Sequence, residues 1–482
     1  MCGIVGFYNV GGLKAHLTDG LKSMQTRGKN GAGFYATDID GSNPFWLREN
    51  GYVSSLCGTE AYRDWDDHSA RIAIGQVRFG TSGSYDASCN VQPFVRDTPR
   101  WGRIADAHNG DTLNAAALRK ELEEAGETFE SNSDSELFLA RLSREQALTP
   151  IWAIENVMRN TRGTFSLLFC GPGWLVAARD PWGNRPLAMG DLGSGWAFAS
   201  ETVTLEILRA RHIRELAPGE MAVCQHGKLS FVHYPFYGSP KPANLHQCSF
   251  EHVYFSRPSS TVFGRSVADY RLETGIVMAS FLPPPAEDEI VVPIKDSGEW
   301  YAVGLAEARG SRYRPALERA HDAVRSYIMS DEEERDDHLR TKLNPVRKVL
   351  AGKTVVLVDD TVVRATTSRK IIRMVRGNES IPDHLRPKRV ILVICAPPVT
   401  GACHYGVRID DIKARLERIR ELGSVEAVIE EVRQYIEADE LYFMPQHAFE
   451  NLFGKDRQDT CFACFNGVYP SLIKFPTKKE SC

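Results

Sequence analysis

The chain has 482 residues, 43% of them hydrophobic and 25% charged, with a formal net charge of -4. That length suits two or three domains, and the composition is that of a soluble globular protein with ample core; neither a basic nucleic-acid-binding arm nor a membrane partner is indicated. No run of about 18 or more apolar residues occurs, and the first residues lack the basic and apolar regions of a signal peptide, so the expectation is a cytoplasmic protein.

The first informative segment is Met1-Cys2-Gly3-Ile4-Val5-Gly6-Phe7. Removing Met1 leaves a thiol and a free α-amino group on Cys2. The thiolate is a nucleophile, and an α-amino group with a pKa of about 7.7–8.0 is partly neutral near pH 7 and supplies an adjacent base. By itself, Cys2 reads better as the start of a buried strand. Further along come Arg27-Gly28 with Ala32-Gly33, then Gln76-Val77-Arg78-Phe79-Gly80-Thr81, Ala107-His108-Asn109-Gly110-Asp111 and Ser133-Asp134. The planar fork of Arg78 suits a carboxylate, although a lone Arg78 or Asp134 reads as a solvated surface charge.

Alternating runs at 164–169 and 221–223 predict strands of antiparallel sheets. A Pro/Gly-rich stretch, Tyr237-Gly238-Ser239-Pro240-Lys241-Pro242, then interrupts both helical and strand periodicity. Beyond it, apolar strands alternate with amphipathic helices, which predicts a parallel sheet flanked by helices. The expected domains are 2–236 and 245–472, with 473–482 a frayed tail.

In the second half, Val355-Val356-Leu357-Val358 predicts a buried strand with Asp359-Asp360 at its carboxyl end. The hydroxyl-rich turn Thr361 to Thr367 then leads to a helix beginning near Ser368. Helix N–H groups and hydroxyls converging outside strand ends suit phosphate, and the carboxylates suit ribose hydroxyls or Mg²⁺. A plain strand–turn–helix with an Asp cap is the alternative. Eleven cysteines without a secretory signal argue against disulfides. Taken alone, Cys461-Phe462-Ala463-Cys464 is open to zinc, redox chemistry or no role.

Together these segments resemble the N-terminal-nucleophile glutamine amidotransferases in the first half and the type I phosphoribosyltransferases in the second. Their pairing is similar to the amidophosphoribosyltransferase family, and matches extend through Ala178-Arg179-Asp180-Pro181-Trp182-Gly183-Asn184-Arg185-Pro186-Leu187, Glu251-His252-Val253-Tyr254-Phe255 and Asp296-Ser297-Gly298. The resemblance implies an α+β N-terminal-nucleophile hydrolase domain of sandwiched antiparallel sheets, followed by an α/β type I phosphoribosyltransferase domain. It implies catalysis by Cys2 with Asn109 and Gly110 as the oxyanion hole, and glutamine held by Arg27, Arg78, Thr81 and Asp134. Phosphoribosyl pyrophosphate (PRPP) falls to Asp359, Asp360, Thr361, Arg364, Thr366, Thr367 and Ser368, and Mg²⁺ to Ser297, Asp359 and Asp360. The iron–sulfur subclass places one 4Fe-4S cluster on Cys248, Cys403, Cys461 and Cys464. The family also implies a homo-oligomer, usually a tetramer.

Departures cluster on the phosphoribosyl side. The loop at 319–328 keeps little of the family's closing-loop chemistry, Ala365 stands where glycine is usual, and Lys295 replaces a proline beside the expected Mg²⁺ site. An acidic insert, Asp331-Glu332-Glu333-Glu334-Arg335-Asp336-Asp337, reads as a solvated face. Two enzymatic readings therefore stand: PRPP amidation in purine synthesis, or a paralogue delivering ammonia to another acceptor. A PRPP-sensing binding module without activity is the third.

Overall fold

The computed structural model describes residues 1–80, 88–234, 245–319, 343–362, 365–407, 409, 417–419 and 421–469. The first half is a sandwich of two antiparallel sheets. One has seven strands in the order Arg211–Glu215, Ala188–Asp191, Trp196–Ala199, Gly3–Tyr8, Ile72–Arg78, Gly31–Thr37, Phe45–Asn50. The other has six: Lys228–His233, Glu220–Gln225, Trp174–Arg179, Gly163–Gly171, Gly102–Thr112, Phe94–Thr98. The expected strands at 164–169 and 221–223 fall inside Gly163–Gly171 and Glu220–Gln225.

Side-chain alternation explains the layering. In Gly3–Tyr8, Ile4 and Tyr8 join Ala105, Ala107, Leu168 and Leu175 between the sheets. Val5 and Phe7 point the other way, onto Leu13, Leu17 and Leu21 of the helix Leu13–Ser23. The second sheet is covered by the helices Glu136–Arg144 and Pro150–Arg159 through Phe138, Ile154 and Val157. The strand that begins just after Cys2 therefore runs through the middle of the sandwich, flanked on both edges by hydrogen-bonded neighbours. That fixes the residue at its amino end.

The second half is built on a five-stranded sheet in the order Arg312–Tyr313, Glu289–Pro293, Thr354–Asp359, Arg389–Ile394, Glu440–Phe443, with every pair parallel. Tyr301, Leu305 and Tyr270, from the helices Glu299–Arg309 and Val267–Met278, cover one face. Ile371, Ile372 and Val375 of Ala365–Arg376 and Ile436 of Val425–Ile436 cover the other. The near-continuous apolar strands match a sheet buried on both faces. A short parallel ladder pairs Gln247–Cys248 with Thr460–Cys461, returning the end of this half to its beginning.

One expectation needs correction. The helix after the paired aspartates begins at Ala365, three residues before the expected Ser368, so Thr366, Thr367 and Ser368 occupy its first turn. Alanine is the best helix former, and a helix starting at Ala365 needs no positive φ at that position. Among the described residues no helix is long and apolar enough to cross a membrane.

Candidate active site

At the carboxyl end of the strand Ile72–Arg78, the backbone N–H of Phe79 donates to Cys2 Sγ at 3.4 Å, and the thiol faces the Phe79 carbonyl at 3.6 Å. Cys2 opens onto a small cleft lined by Arg78, Phe79, Gln92, His108, Gly110, Ser133, Asp134 and Ser135. Residues from four separated segments thus meet at one thiol, Arg78, Gly110 and Asp134 among them. Asp134 Oδ2 accepts the Thr112 N–H at 2.9 Å and lies 3.8 Å from His108 Nδ1. Gly110 is held by close approach: a Cβ there would stand 2.0 Å from the Thr164 carbonyl oxygen.

Asn109 is buried beside this cleft, outside the residues that line it, and among the described residues neither atom of its side-chain amide has a hydrogen-bond partner. A buried amide left unpaired is costly, so a donor at that position is poised for a ligand. Thr81 lies outside the described residues.

Arg27 is a correction. Expected on substrate glutamine, it is buried under the nucleophile, with Nε donating to the Cys2 carbonyl at 3.0 Å and Nη1 and Nη2 paired with Glu201 and Glu251 at 2.9 and 2.8 Å. Five cleft residues, Phe79, Gln92, His108, Ser133 and Ser135, went unassigned from sequence. The Gln92 side chain accepts from His108 N–H and donates to Ser135 Oγ, both at 2.7 Å, and Ser135 Oγ in turn meets His108 Nδ1 at 3.0 Å. Burial lowers the His108 pKa and keeps the ring neutral. His108 and Ser133 lay inside motifs already singled out; Gln92 and Ser135 carried no local signal.

Met1 is buried, its side chain in the same apolar cluster as Phe250 and Val253 of the second half. Burial pushes its amino group down to about 5; Arg27 and Arg185 lower it further, against Cys2 and Glu251. These surroundings disfavour the charged form of the Met1 amino group.

At the second centre, Ser297 Oγ donates to Asp359 Oδ1 at 3.0 Å, and Thr361 Oγ1 donates to Asp360 Oδ2 at 2.7 Å. Gly298 makes this possible, since a Cβ would meet the Val358 carbonyl oxygen at 2.1 Å. Burial and then the charge of Asp360 push the Asp359 carboxyl well above the usual carboxylate range. A divalent cation relieves that repulsion. Lys295 lies 3.3 Å from Glu299, so its charge is paired within its own segment. Thr366 and Thr367 are exposed and Ser368 is buried; Arg364 lies outside the described residues.

The four cysteines gather at the seam between the halves. Cys248 and Cys461 sit opposite each other on the parallel ladder. Cys403 Sγ accepts the Tyr405 and Val407 N–H groups at 3.3 and 3.4 Å. A hydrogen bond from Cys464, assisted by Arg185, lowers Cys403 to about 6. Among the described residues, no three His, Cys, Asp or Glu side chains close on a point that a single metal ion could occupy.

An N-terminal cysteine at the heart of an antiparallel sandwich, joined to a doubly covered parallel sheet with an acidic strand end, defines a two-domain amidotransferase. A family model described as "Glutamine amidotransferase domain" matches residues 81–206. The chain is 36% identical over 486 residues to "Amidophosphoribosyltransferase 3, chloroplastic" of Arabidopsis thaliana, covering 100% of this chain and 85% of that protein. It is also 36% identical to the amidophosphoribosyltransferase of Methanocaldococcus jannaschii, covering 98% of each chain. A solved glutamine PRPP amidotransferase from B. subtilis, complexed with ADP and GMP, superposes with a TM-score of 0.82 at 30% identity over 97% of both chains. The chain belongs to the amidophosphoribosyltransferase family.

Proposed function

We propose that the protein makes 5-phosphoribosylamine from PRPP, glutamine and water, the first step of de novo purine synthesis. The observation that carries this reading is the presence, in one chain, of the Cys2 cleft and the Ser297–Asp359–Asp360 cluster, each in the half where the family has its corresponding centre. After Met1 is removed, the Cys2 amino group takes the thiol proton and the thiolate attacks the side-chain amide carbon of glutamine. Arg78 and Asp134 hold the glutamine carboxylate and amino group, with Thr81 adding to that contact. Asn109 Nδ2 and the Gly110 N–H stabilise the oxyanion, each donor contributing about 2.7–4 kcal/mol. Ammonia leaves, and water releases glutamate from the thioester. Ammonia then attacks the anomeric carbon of PRPP and expels pyrophosphate.

Ser297, Asp359 and Asp360 are the residues that would hold Mg²⁺, which supplies charge neutralisation of the leaving pyrophosphate. Thr361, Arg364 and the first-turn groups Thr366, Thr367 and Ser368 would receive the phosphate. Cys248, Cys403, Cys461 and Cys464 would hold one 4Fe-4S cluster. The iron–sulfur subclass of the family carries its cluster on cysteines at these positions, which favours it over zinc here. Anaerobically purified protein is expected to contain iron and acid-labile sulfide in about a 1:1 ratio, near four of each per chain, lost in Cys464→Ser. Stoichiometric zinc would contradict this.

The paralogue reading rests on the altered loop at 319–328. Of that loop only Arg319 is described, and it pairs with Asp296 in the metal-site segment. Relatives covered over nearly their whole length bear the amidophosphoribosyltransferase name, which favours PRPP as acceptor. A cytoplasmic homo-oligomer, tetrameric like the family, completes the proposal. Its test is pyrophosphate release from PRPP with Mg²⁺ and an ammonium salt in place of glutamine. Turnover supports PRPP as the acceptor, and none under any ammonium concentration overturns it.

A further inference from the structure

Four charged side chains, buried between the halves, form a balanced network under the nucleophile. Arg27 and Arg185 come from the glutaminase half, as does Glu201; Glu251 comes from the other half. Glu251 is fully buried and receives Arg27 through both carboxylate oxygens, at 2.8 and 2.9 Å, along with the Ser256 hydroxyl at 2.7 Å. Arg185 Nη1 lies 3.9 Å from the same carboxylate. Glu201 accepts from Arg27 at 2.9 Å, from the Arg257 N–H at 2.8 Å and from Ser260 Oγ at 2.7 Å. The remaining Arg27 group, Nε, is bonded to the carbonyl of Cys2 itself.

Such a network is weak evidence for stability, because desolvating the ions offsets much of their attraction; a use in fixing position is the better-attested reason to keep one. A bidentate guanidinium–carboxylate pair fixes orientation as well as distance. Glu251 is itself anchored, as the first residue of the π-helix Glu251–Phe255. The Val253 carbonyl in that turn accepts the Tyr301 hydroxyl at 3.0 Å, and the His252 carbonyl accepts Arg271 Nε at 2.9 Å. Tyr301 belongs to the helix Glu299–Arg309, which starts two residues after Ser297. The aim of the Cys2 thiol is thus set from the far side of the domain seam.

We infer that Glu251, a residue of the acceptor half, is a positioning residue for glutamine hydrolysis: through Arg27 it fixes the Cys2 carbonyl and so the direction of the thiol. Glu251 touches neither the thiol nor the cleft. A misplacement of about 1 Å costs on the order of 100-fold in rate, so the effect falls on kcat rather than on glutamine affinity.

The experiment compares full-length wild type, Glu251→Gln and Glu251→Asp in three measurements. These are the rate of Cys2 alkylation by iodoacetamide, kcat and KM for glutamate release, and pyrophosphate release supported by ammonium. Glu251→Gln is expected to lower kcat about 10- to 100-fold with KM within about twofold, and to change the alkylation rate. Glu251→Asp keeps the charge and is expected to recover part of kcat. Ammonium-supported turnover, which does not use Cys2, stays within about twofold and reports that the fold is intact. Parallel loss of the glutamine and ammonium reactions would reduce Glu251 to a structural role, and a raised KM at unchanged kcat would make it a binding residue; either overturns the inference. Only the ammonium arm rests on the proposed PRPP reading. If wild type lacks that activity, the PRPP reading fails while alkylation and glutamate release still decide on Glu251.

Discussion

Cys2→Ala is expected to abolish glutamate release from glutamine, by on the order of 10⁴-fold or more, while leaving pyrophosphate release from PRPP and ammonium within about twofold of wild type. The split follows from the architecture. Cys2 sits at the amino end of the central strand of the glutaminase sandwich, whereas Ser297, Asp359 and Asp360 lie at strand ends of a separate parallel sheet. Losing one sulfur atom, whose partners among the described residues are the Phe79 backbone groups, leaves the sheet registers untouched. Measuring both products on one preparation checks the claim. Retained glutamine hydrolysis would remove Cys2 from the mechanism, and equal loss of both activities would mean that the variant is misfolded.

The Asp359→Asn, Asp360→Asn double variant is expected to do the reverse: PRPP turnover falls by on the order of 10³-fold or more, while some basal glutaminase activity remains. Asp359 accepts the Ser297 hydroxyl and the Asp360 N–H, both at 3.0 Å, so asparagine at that position retains an acceptor and the local turn. What is lost is charge. Mg²⁺ is accordingly expected to raise the melting temperature of wild type in the presence of PRPP and to leave that of the double variant unchanged. A variant that still turns over PRPP, or still responds to Mg²⁺, would contradict the metal assignment.

Much of this arrangement is legible in the sequence because its signals are local. Cys2 follows the initiator, Asn109-Gly110 and Ser133-Asp134 are contiguous pairs, and Asp359-Asp360 directly follow a run of β-branched and leucine residues. Arg27 was misread because what defines it is not local: its partners Glu201 and Glu251 lie 174 and 224 positions away. The resemblance alone set the expectation for Arg27, and only the fold supplies the two carboxylates that hold it. Gln92 and Ser135 were missed for the same reason, being joined to His108 by tertiary hydrogen bonds alone. The start of the helix at Ala365 was placed too late because the hydroxyl residues were read as a turn. In the structure they form the first helical turn, where free N–H groups are available to an anion all the same.

The most direct test of the central claim is the stoichiometry of products from anaerobically purified protein given glutamine, PRPP and Mg²⁺ together. Glutamate and pyrophosphate are expected in a ratio near one, with glutamate release stimulated by PRPP. Glutamate release indifferent to PRPP, with no pyrophosphate formed, would contradict it and assign the ammonia to another acceptor.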